Sequence, residues 1–282
     1  MFLNQLAPLL FLLLSLASAG CPRDAEEFLV TFHPHLDAFW LDTDDDLKNI
    51  NFRPAGFLYA MNQRNSKTIF NSMLDALTRN ASRKYFISEA VFFKDWYDYL
   101  GADKKDQVKK LFEKGQLDIA NGGWVENDEA VCYIDDIIDQ YTVGHNFLNS
   151  EFGLTTKIGW ATDSFGHSHS QVAIQHLLGF EFQGIERIDD RYIYERIGGS
   201  LLEFYWSAVS DSNGRKYGGV MTLVRHFLHE VNDLRHANID GIASDFTKLE
   251  ANMVNLYKKN KLFRFLGNDF EEFIDEEFTN LE

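Results

Sequence analysis

Residues 28–37 read Phe-Leu-Val-Thr-Phe-His-Pro-His-Leu-Asp, a short apolar run followed by two histidines and an aspartate. The run has the length and the β-favouring side chains of a buried strand. Alternate residues of an extended segment point to the same side, so His35 and Asp37 can both face one point beyond the strand. An imidazole and a carboxylate suit a divalent metal such as zinc. Taken alone, the pair is better explained by an ordinary His–Asp hydrogen bond than by a metal site, and both interpretations stay open here.

The same pattern repeats along the chain. Further strands are predicted at residues 85–87, 117–120, 157–161, 182–185, 201–206 and 262–266. Between them, apolar residues at helical spacing predict helices at residues 68–77, 94–114, 134–147, 171–178 and 242–257. Strands that alternate with helices of this length are typical of parallel βαβ units, so the fold class is predicted as α/β.

Reactive side chains stand at the ends of these predicted strands. They are His35, Asp37, Glu89, Trp124, Asp128, Asp163, Arg187 and Asp269. In a parallel barrel the carboxyl ends of the strands meet on one face, where the active site is built. Any one of these residues could belong to a solvated loop. Their shared position after strands predicts a common site.

Two carboxylates are the main candidates for catalysis. Asp163 lies in Gly159–Ser168, where a strand runs into a glycine-containing turn, and it could be a nucleophile, a metal ligand or a helix cap. The cap role is less natural because Ser168 or Ser170 lies closer to the next helix. Asp269 ends the last predicted strand. Two carboxylates about 5 Å apart suit glycoside hydrolysis with retention of configuration.

Several strings together resemble glycoside hydrolase family 38, the α-mannosidases, and most closely the lysosomal type. They run in family order from about residue 28 to the C-terminus. They are His35-Leu36-Asp37 with Trp40, residues 85–96, Asn121-Gly122-Gly123-Trp124-Val125-Glu126-Asn127-Asp128-Glu129-Ala130, residues 137–140, residues 160–167, Gly179-Phe180 with Arg187, and Gly267-Asn268-Asp269-Phe270.

The resemblance implies a retaining α-mannosidase that depends on one Zn²⁺ ion and removes terminal α-linked mannose from glycans. Its catalytic domain would be a parallel seven-stranded (β/α) barrel. His35, Asp37 and Asp163 would be metal ligands, with Asp163 also the nucleophile and Asp269 the general acid/base. Trp40 would stack under the sugar, and Arg187 would hold the charge of the nucleophile.

Three features depart from the family pattern. Phe39 replaces the glycine that usually precedes the tryptophan, and Ser164 replaces the proline after the nucleophile. The family's fourth metal ligand, a histidine from much later in the sequence, has no counterpart, and the barrel is expected to be truncated at its C-terminus. His167 and His169 are the nearest spare imidazoles, but nothing in the sequence places either on the metal.

The charge balance limits the partners. The chain has 43 acidic and 27 basic residues, a net charge of −16, and an isoelectric point near 4.9. Phosphate binding needs a basic face, so this balance argues against nucleic acid and anionic membranes as partners. A neutral substrate or an acidic compartment is favoured.

The N-terminus predicts the compartment. Residues 6–16 are largely apolar and Ala17-Ser18-Ala19 follows, so residues 1–19 are predicted to be a signal peptide and 20–282 the barrel domain. No basic residue precedes the apolar run; an anchor and a lipoprotein signal at Cys21 are the alternatives. The secretory pathway, with a lysosomal, vacuolar or extracellular destination and no membrane span after cleavage, is expected. Cys21 and Cys132 could form one disulfide, and Asn80-Ala81-Ser82 is a glycosylation sequon.

Three functions compete at this stage. The first is an α-mannosidase catalytic barrel. The second is a truncated, non-catalytic remnant that at most binds sugar, which the missing ligand favours but the retained carboxylates do not. The third is a metal-dependent polysaccharide deacetylase, which explains His and Asp at strand ends but not the pairing of Asp163 with Asp269.

Overall fold

The computed structural model describes residues 12–13, 27–38, 66–197, 201–225, 241, 244, 257 and 261–282. Its strands are β1 (Leu12–Leu13), β2 (Glu27–Phe32), β3 (Tyr85–Ile87), β4 (Leu117–Ile119), β5 (Ile158–Ala161), β6 (Phe182–Ile185), β7 (Glu203–Ser210), β8 (Lys216–Val224) and β9 (Lys261–Leu266). Its helices are α1 (Ser66–Arg79), α2 (Ala90–Asp98), α3 (Ala102–Glu113), α4 (Ile134–Phe152), α5 (His169–Leu177), α6 (Asp190–Ile197) and α7 (Asp275–Leu281).

The strands form two sheets. In the first, β2 pairs in parallel with β9 along its whole length and with β3 at Phe32, and β3 pairs in parallel with β4. The two-residue strand β1 lies antiparallel to β2. In the second sheet, β5, β6 and β8 are parallel, and β7 is antiparallel to β8. The α/β class and the parallel pairing are therefore confirmed.

A closed seven-stranded barrel is not confirmed. Seven parallel strands are present in the described residues, β9, β2, β3 and β4 in one sheet and β5, β6 and β8 in the other. No ladder in this part of the chain joins β4 to β5 or β8 to β9. The two sheets are therefore the observed architecture.

The predicted sixth strand, residues 201–206, is wrong as a parallel strand. This segment starts β7, which forms a hairpin with β8, and it is β8 that pairs in parallel with β6 from Phe182↔Met221 to Ile185↔Val224. The turn is closed by Asp211, whose side chain accepts hydrogen bonds from two main-chain N–H groups, and Gly214 has φ +77. The start of β8 is polar and rich in glycine, so it lacks the apolar pattern from which a strand is predicted.

The helix predicted at residues 94–114 is also wrong as one element. It is two helices, α2 and α3, and Gly101 is the N-cap of the second. Glycine is acceptable at an N-cap but costly inside a helix, so the chain breaks there. The helix predicted at residues 242–257 lies almost entirely outside the described residues.

Aromatic rings from both sheets share one core. Trp160 of β5 packs with its ring centre 4.8 Å from that of Phe86 on β3 and 4.8 Å from that of Phe265 on β9. Phe70 of α1 and Phe93 of α2 are fully buried. Each fully buried side chain of this size contributes about 1.5–3 kcal/mol, so this cluster holds the strand ends in place.

A close approach of main chain fixes the loop after β4. Gly122 has φ +69, and a Cβ atom added at Gly144 of α4 would lie 2.2 Å from the Gly122 carbonyl oxygen. Trp124 continues the contact, since its N–H donates to the Gln140 carbonyl at 3.1 Å. The Gly-Gly-Trp string therefore lets the loop that leads to Glu126 pack closely against α4.

The N-terminal and covalent features are only partly described. Of predicted signal residues 1–19, only β1 is described, so the signal peptide stays a prediction. Within the described ranges, no helix has the length and hydropathy needed to cross a bilayer. Cys132 is exposed and has no disulfide partner among the described residues, while Cys21 lies outside them. Asn80 lies in a turn after α1, its side-chain amide donating to Glu282 at 2.8 Å.

Gly144→Ala tests the packing of α4 against the loop after β4. The added methyl group meets main chain, which cannot move aside cheaply, so we expect a loss of about 1–3 kcal/mol in the free energy of unfolding. Asn146→Ala is the control, because Asn146 is an exposed residue of the same helix, and it should change stability by less than about 0.5 kcal/mol. Urea unfolding measures both. Equal midpoints for the two variants would contradict the packing.

Candidate active site

Most of the predicted site residues meet at the carboxyl ends of the parallel strands. Those placed there follow five different strands: His35 and Asp37 follow β2, Glu89 follows β3, Asp163 follows β5, Arg187 follows β6 and Asp269 follows β9. All of them except Glu89, which lies behind His35, line a cavity of about 300 Å³ or a smaller one of about 130 Å³. Trp40 lies outside the described residues, so its predicted stacking role stays a prediction.

His35 and Asp269 are held side by side by main-chain contacts. The His35 N–H donates to the Asn268 carbonyl at 3.1 Å, and the Phe270 N–H donates to the His35 carbonyl at 2.8 Å. The contacts extend the parallel pairing of β2 with β9 past both strand ends. Two residues at opposite ends of the sequence are therefore brought together by regular strand pairing.

One edge of the His35 ring faces the predicted metal ligands. Its Nε2 lies 3.2 Å from Asp37 Oδ1 and 3.8 Å from Asp163 Oδ2. Ligand atoms of His35, Asp37 and Asp269 also lie within 4.8 Å of one another. The three ligand atoms that converge are thus those of His35, Asp37 and Asp269, whereas Asp163 of the predicted set is placed by its distance to His35 alone. The assignment of Asp163 as a ligand stays a prediction.

The other edge of the ring faces two carboxylates. His35 Nδ1 lies 3.5 Å from Glu126 Oε2 and 3.8 Å from Glu89 Oε1, and within the described residues it has no hydrogen-bond partner. Burial opposes a charge on His35, but the carboxylates of Asp37, Glu126 and Glu89 outweigh it and hold the pKa of His35 well above its usual value. Burial raises the pKa of Glu89 to about 8, although His35 acts in the opposite direction.

This arrangement fits a divalent metal ion. A metal-bound histidine commonly donates its second ring N–H to a carboxylate, which fixes the ring and strengthens the bond to the metal. Here the buried Nδ1 without a partner faces Glu126 and Glu89, while Nε2 faces Asp37 and Asp163. A positive ion among these carboxylates would also reduce their mutual repulsion.

Glu126 reaches a second part of the site. Its Oε1 accepts the main-chain N–H groups of Thr162 at 2.9 Å and Asp163 at 3.2 Å. It therefore connects the loop after β4 to the end of β5. In the sequence, Glu126 lies within a string that resembles the family, but it is not predicted as a site residue. Its position soon after a strand is the signal that could have identified it.

Arg187 forms an ion pair with Asp163. The Arg187 backbone has φ +44, a left-handed conformation that is unfavourable for a residue with a side chain. The guanidinium therefore lies against the carboxylate that the sequence predicts to be the nucleophile. The roles of the two residues stay predictions.

Asp269 has the opposite environment. Burial is the largest cause that raises the pKa of Asp269, the carboxylates of Asp37 and Asp163 add to it, and His35 opposes it. One carboxyl group at these strand ends is thus paired with a guanidinium, and the other has a raised pKa. Such a difference is what separates a nucleophile from a general acid.

The two spare imidazoles have partners of their own. His167 Nδ1 lies 2.9 Å from Glu129 Oε1, and its Nε2 lies 2.5 Å from the Glu186 carbonyl oxygen. His169 Nδ1 accepts the indole N–H of Trp206 at 3.1 Å. Both nitrogens of His167 are occupied, so it cannot ligate a metal in this arrangement. Ser168 caps α5 by accepting the Gln171 N–H, which confirms that Asp163 is not the cap.

Known proteins resemble most of the chain. Residues 27–281 match the family described as the N-terminal domain of glycosyl hydrolases family 38. A lysosomal α-mannosidase of Dictyostelium discoideum is 34% identical over 257 residues, covering 86% of this chain and 25% of the relative. α-Mannosidase 2 of Homo sapiens is 34% identical over 180 residues, covering 64% and 14%.

Solved structures share the fold. An α-mannosidase from Enterococcus faecalis V583 superposes with a TM-score of 0.61 at 16% identity, covering 89% of this chain and 26% of that one. A 4-α-glucanotransferase from Thermococcus litoralis gives 0.52 at 16% identity, covering 89% and 35%. The chain spans about a quarter of the length of the first curated relatives it matches.

His167→Gln tests the buried pair with Glu129. The pKa of His167 is raised because, although burial opposes its charge, Glu129 and the Glu186 carbonyl favour the protonated ring. Its folded pKa exceeds the unfolded value near 6.5, so this stabilisation is complete below about pH 6.5 and is lost as pH rises through the folded pKa. We expect wild type and variant to differ most in unfolding free energy at low pH and to converge at higher pH. Urea titrations across this range measure it; a pH-independent difference would contradict it.

Proposed function

Because the chain belongs to glycosyl hydrolase family 38, we propose that it carries the active-site portion of an α-mannosidase that releases terminal α-linked mannose from glycans. The observation that carries the proposal is a pair of carboxyl groups with different environments at the carboxyl ends of the strands. Asp163 forms an ion pair with Arg187, and burial raises the pKa of Asp269 nearby. A retaining glycosidase requires two carboxyl groups in two such different environments.

In this proposal Asp163 attacks the anomeric carbon of the mannoside and forms a glycosyl ester. Asp269 first donates its proton to the departing glycosidic oxygen, then accepts a proton from the water that hydrolyses the ester. Arg187 stabilises the Asp163 carboxylate before attack and again when the ester is cleaved. Trp40 is proposed to stack beneath the sugar ring.

We propose that His35, Asp37 and Asp163 bind one Zn²⁺ ion, with Asp269 close by. When bound, zinc supplies a positive charge that can engage sugar hydroxyl groups and favour the oxocarbenium-like transition state. The Glu126 and Glu89 carboxylates face His35 Nδ1 at 3.5 Å and 3.8 Å, and their negative charge favours this orientation of the ring. Glu126 also holds the main chain at Asp163, so one carboxylate positions two of the proposed ligands.

The two sheets are proposed to be parts of one seven-stranded barrel. The N–H of Asn121, just after β4, donates to the carbonyl of Ile158, the first residue of β5, at 2.5 Å. Nη2 of Arg225, just after β8, donates to the carbonyl of Phe265 on β9 at 3.4 Å. The shared ring cluster lies between the sheets. A crystal structure with β5 far from β4 would exclude this barrel.

Entry into the secretory pathway is proposed from the N-terminal apolar run and from the similarity to a lysosomal relative. A lysosomal, vacuolar or extracellular destination would follow. Mature protein that still begins at Met1 would contradict the proposed cleavage after residue 19.

Hydrolysis of a synthetic aryl α-mannoside tests the function. We expect Asp269→Asn to lower kcat/KM by about 10²–10⁴-fold, the usual contribution of a general acid/base, and Asp163→Asn to lower it at least as much. Asp189→Asn, at an exposed carboxylate in the loop after β6, should leave activity unchanged. A wild-type chain that binds mannoside without hydrolysing it would support the non-catalytic remnant instead, and full activity in Asp163→Asn would exclude the nucleophile.

Zinc affinity tests the metal site without relying on turnover. Glu126→Gln should weaken zinc binding by about 10–100-fold, because a carboxylate that orients a metal-bound histidine is lost. Glu181→Gln is the control, since Glu181 is exposed and pairs with Lys157. Competition with a chromogenic chelator measures both affinities. Equal affinities would contradict the assignment of Glu126, and absence of zinc binding by the wild type would contradict the site.

A further inference from the structure

A buried link runs from the loop after β4 to the residue before Arg187. Glu129 Oε1 lies 2.9 Å from His167 Nδ1, and His167 Nε2 lies 2.5 Å from the Glu186 carbonyl oxygen. The side chains of Glu129 and His167 are each 3% exposed. Both ring nitrogens face oxygen acceptors, so both carry protons and the ring is an imidazolium paired with the Glu129 carboxylate.

The link is anchored at both ends. Glu129 Oε2 accepts the Ser168 N–H at 2.6 Å, which holds the loop that leaves Asp163. The Glu186 carboxylate lies 3.3 Å from Arg225 Nη1, so the receiving residue is held from β8 as well. These contacts join the segments after β4, β5, β6 and β8 through side chains that are not among the proposed metal ligands.

The hydrogen bond from His167 to the Glu186 carbonyl acts on the main chain next to Arg187. The Glu186 carbonyl belongs to the peptide group that directly precedes Arg187, and the Arg187 φ of +44 is the rotation between that peptide and its own Cα. A left-handed conformation at arginine persists only where surrounding contacts impose it. The His167 N–H holds the peptide plane from which this rotation starts.

We propose that His167 is a positioning residue for Arg187. By binding the Glu186 carbonyl it keeps Arg187 left-handed and directs the guanidinium onto Asp163. Its effect on catalysis rests on the proposed function, whereas its effect on the Arg187 conformation does not.

Crystal structures of two variants test the positioning directly. In His167→Phe, which keeps an aromatic ring but removes both N–H groups, we expect Arg187 to leave its positive φ and to separate from Asp163. His169→Phe, at an imidazole that contacts Trp206, should keep Arg187 in place. Arg187 unchanged in His167→Phe would overturn the proposal even if the chain is inactive.

A second variant covers the case in which His167→Phe fails to fold. His167→Gln supplies an amide N–H in place of Nε2–H, so we expect it to keep the hydrogen bond to the Glu186 carbonyl and to leave Arg187 against Asp163. A crystal structure in which that hydrogen bond is kept but Arg187 has left Asp163 would overturn the proposal.

Kinetics on the aryl α-mannoside separate positioning from a general structural role. We expect His167→Phe to lower kcat by about 10²-fold, as misplacement near 1 Å can do, with little change in KM. In an Arg187→Ala background the same substitution should change kcat less than about twofold, because the group it positions is already gone. Equal losses in both backgrounds would overturn the proposal. A wild type that hydrolyses nothing would contradict the proposed function only, and the crystal structures would still decide the position of Arg187.

Discussion

The parallel pairing of β2 with β9 is the constraint on which the site depends. It continues beyond the strands as main-chain hydrogen bonds between His35 and the Asn268–Phe270 segment, so the imidazole and the Asp269 carboxyl group share one rim. A shift of one residue would turn alternate side chains to the opposite face and separate them. Register along six consecutive residue pairs therefore fixes the chemistry at the strand ends.

Negatively charged side chains are clustered at the carboxyl ends of the strands, in a chain whose net charge is −16. Five carboxyl groups, those of Asp37, Glu89, Glu126, Asp163 and Asp269, surround one imidazole and one guanidinium. Like charges this close cannot all stay ionised without a compensating cation. The groups differ accordingly: Asp163 is paired with Arg187, whereas burial and neighbouring carboxylates raise the pKa values of Asp269 and Glu89. The proposed metal ion would complete that balance on the Nε2 side of His35.

Supports for these groups come from the loops rather than from the strands. Glu126 binds the main chain at Asp163, Gly144 admits the loop that carries Glu126, and His167 binds the peptide before Arg187. Each contact joins segments that follow different strands. Polar contacts outside the cavity therefore fix the positions of the proposed reacting groups, as supporting hydrogen bonds commonly do in active sites.

Local sequence determined the α/β alternation, the bounds of β3 and β6, and the presence of reactive side chains after the strands, because apolar periodicity and turn residues act over short distances. It also supplied the strings that resemble family 38. It did not reveal β8, whose polar and glycine-rich start lacks strand periodicity, or the break at Gly101. Only the tertiary structure decided that Glu126 supports His35 and Asp163, and that His167 is tied to Glu129 and Glu186. Each of those contacts joins residues from different segments of the chain, and a side chain's environment is set by whatever the fold brings against it.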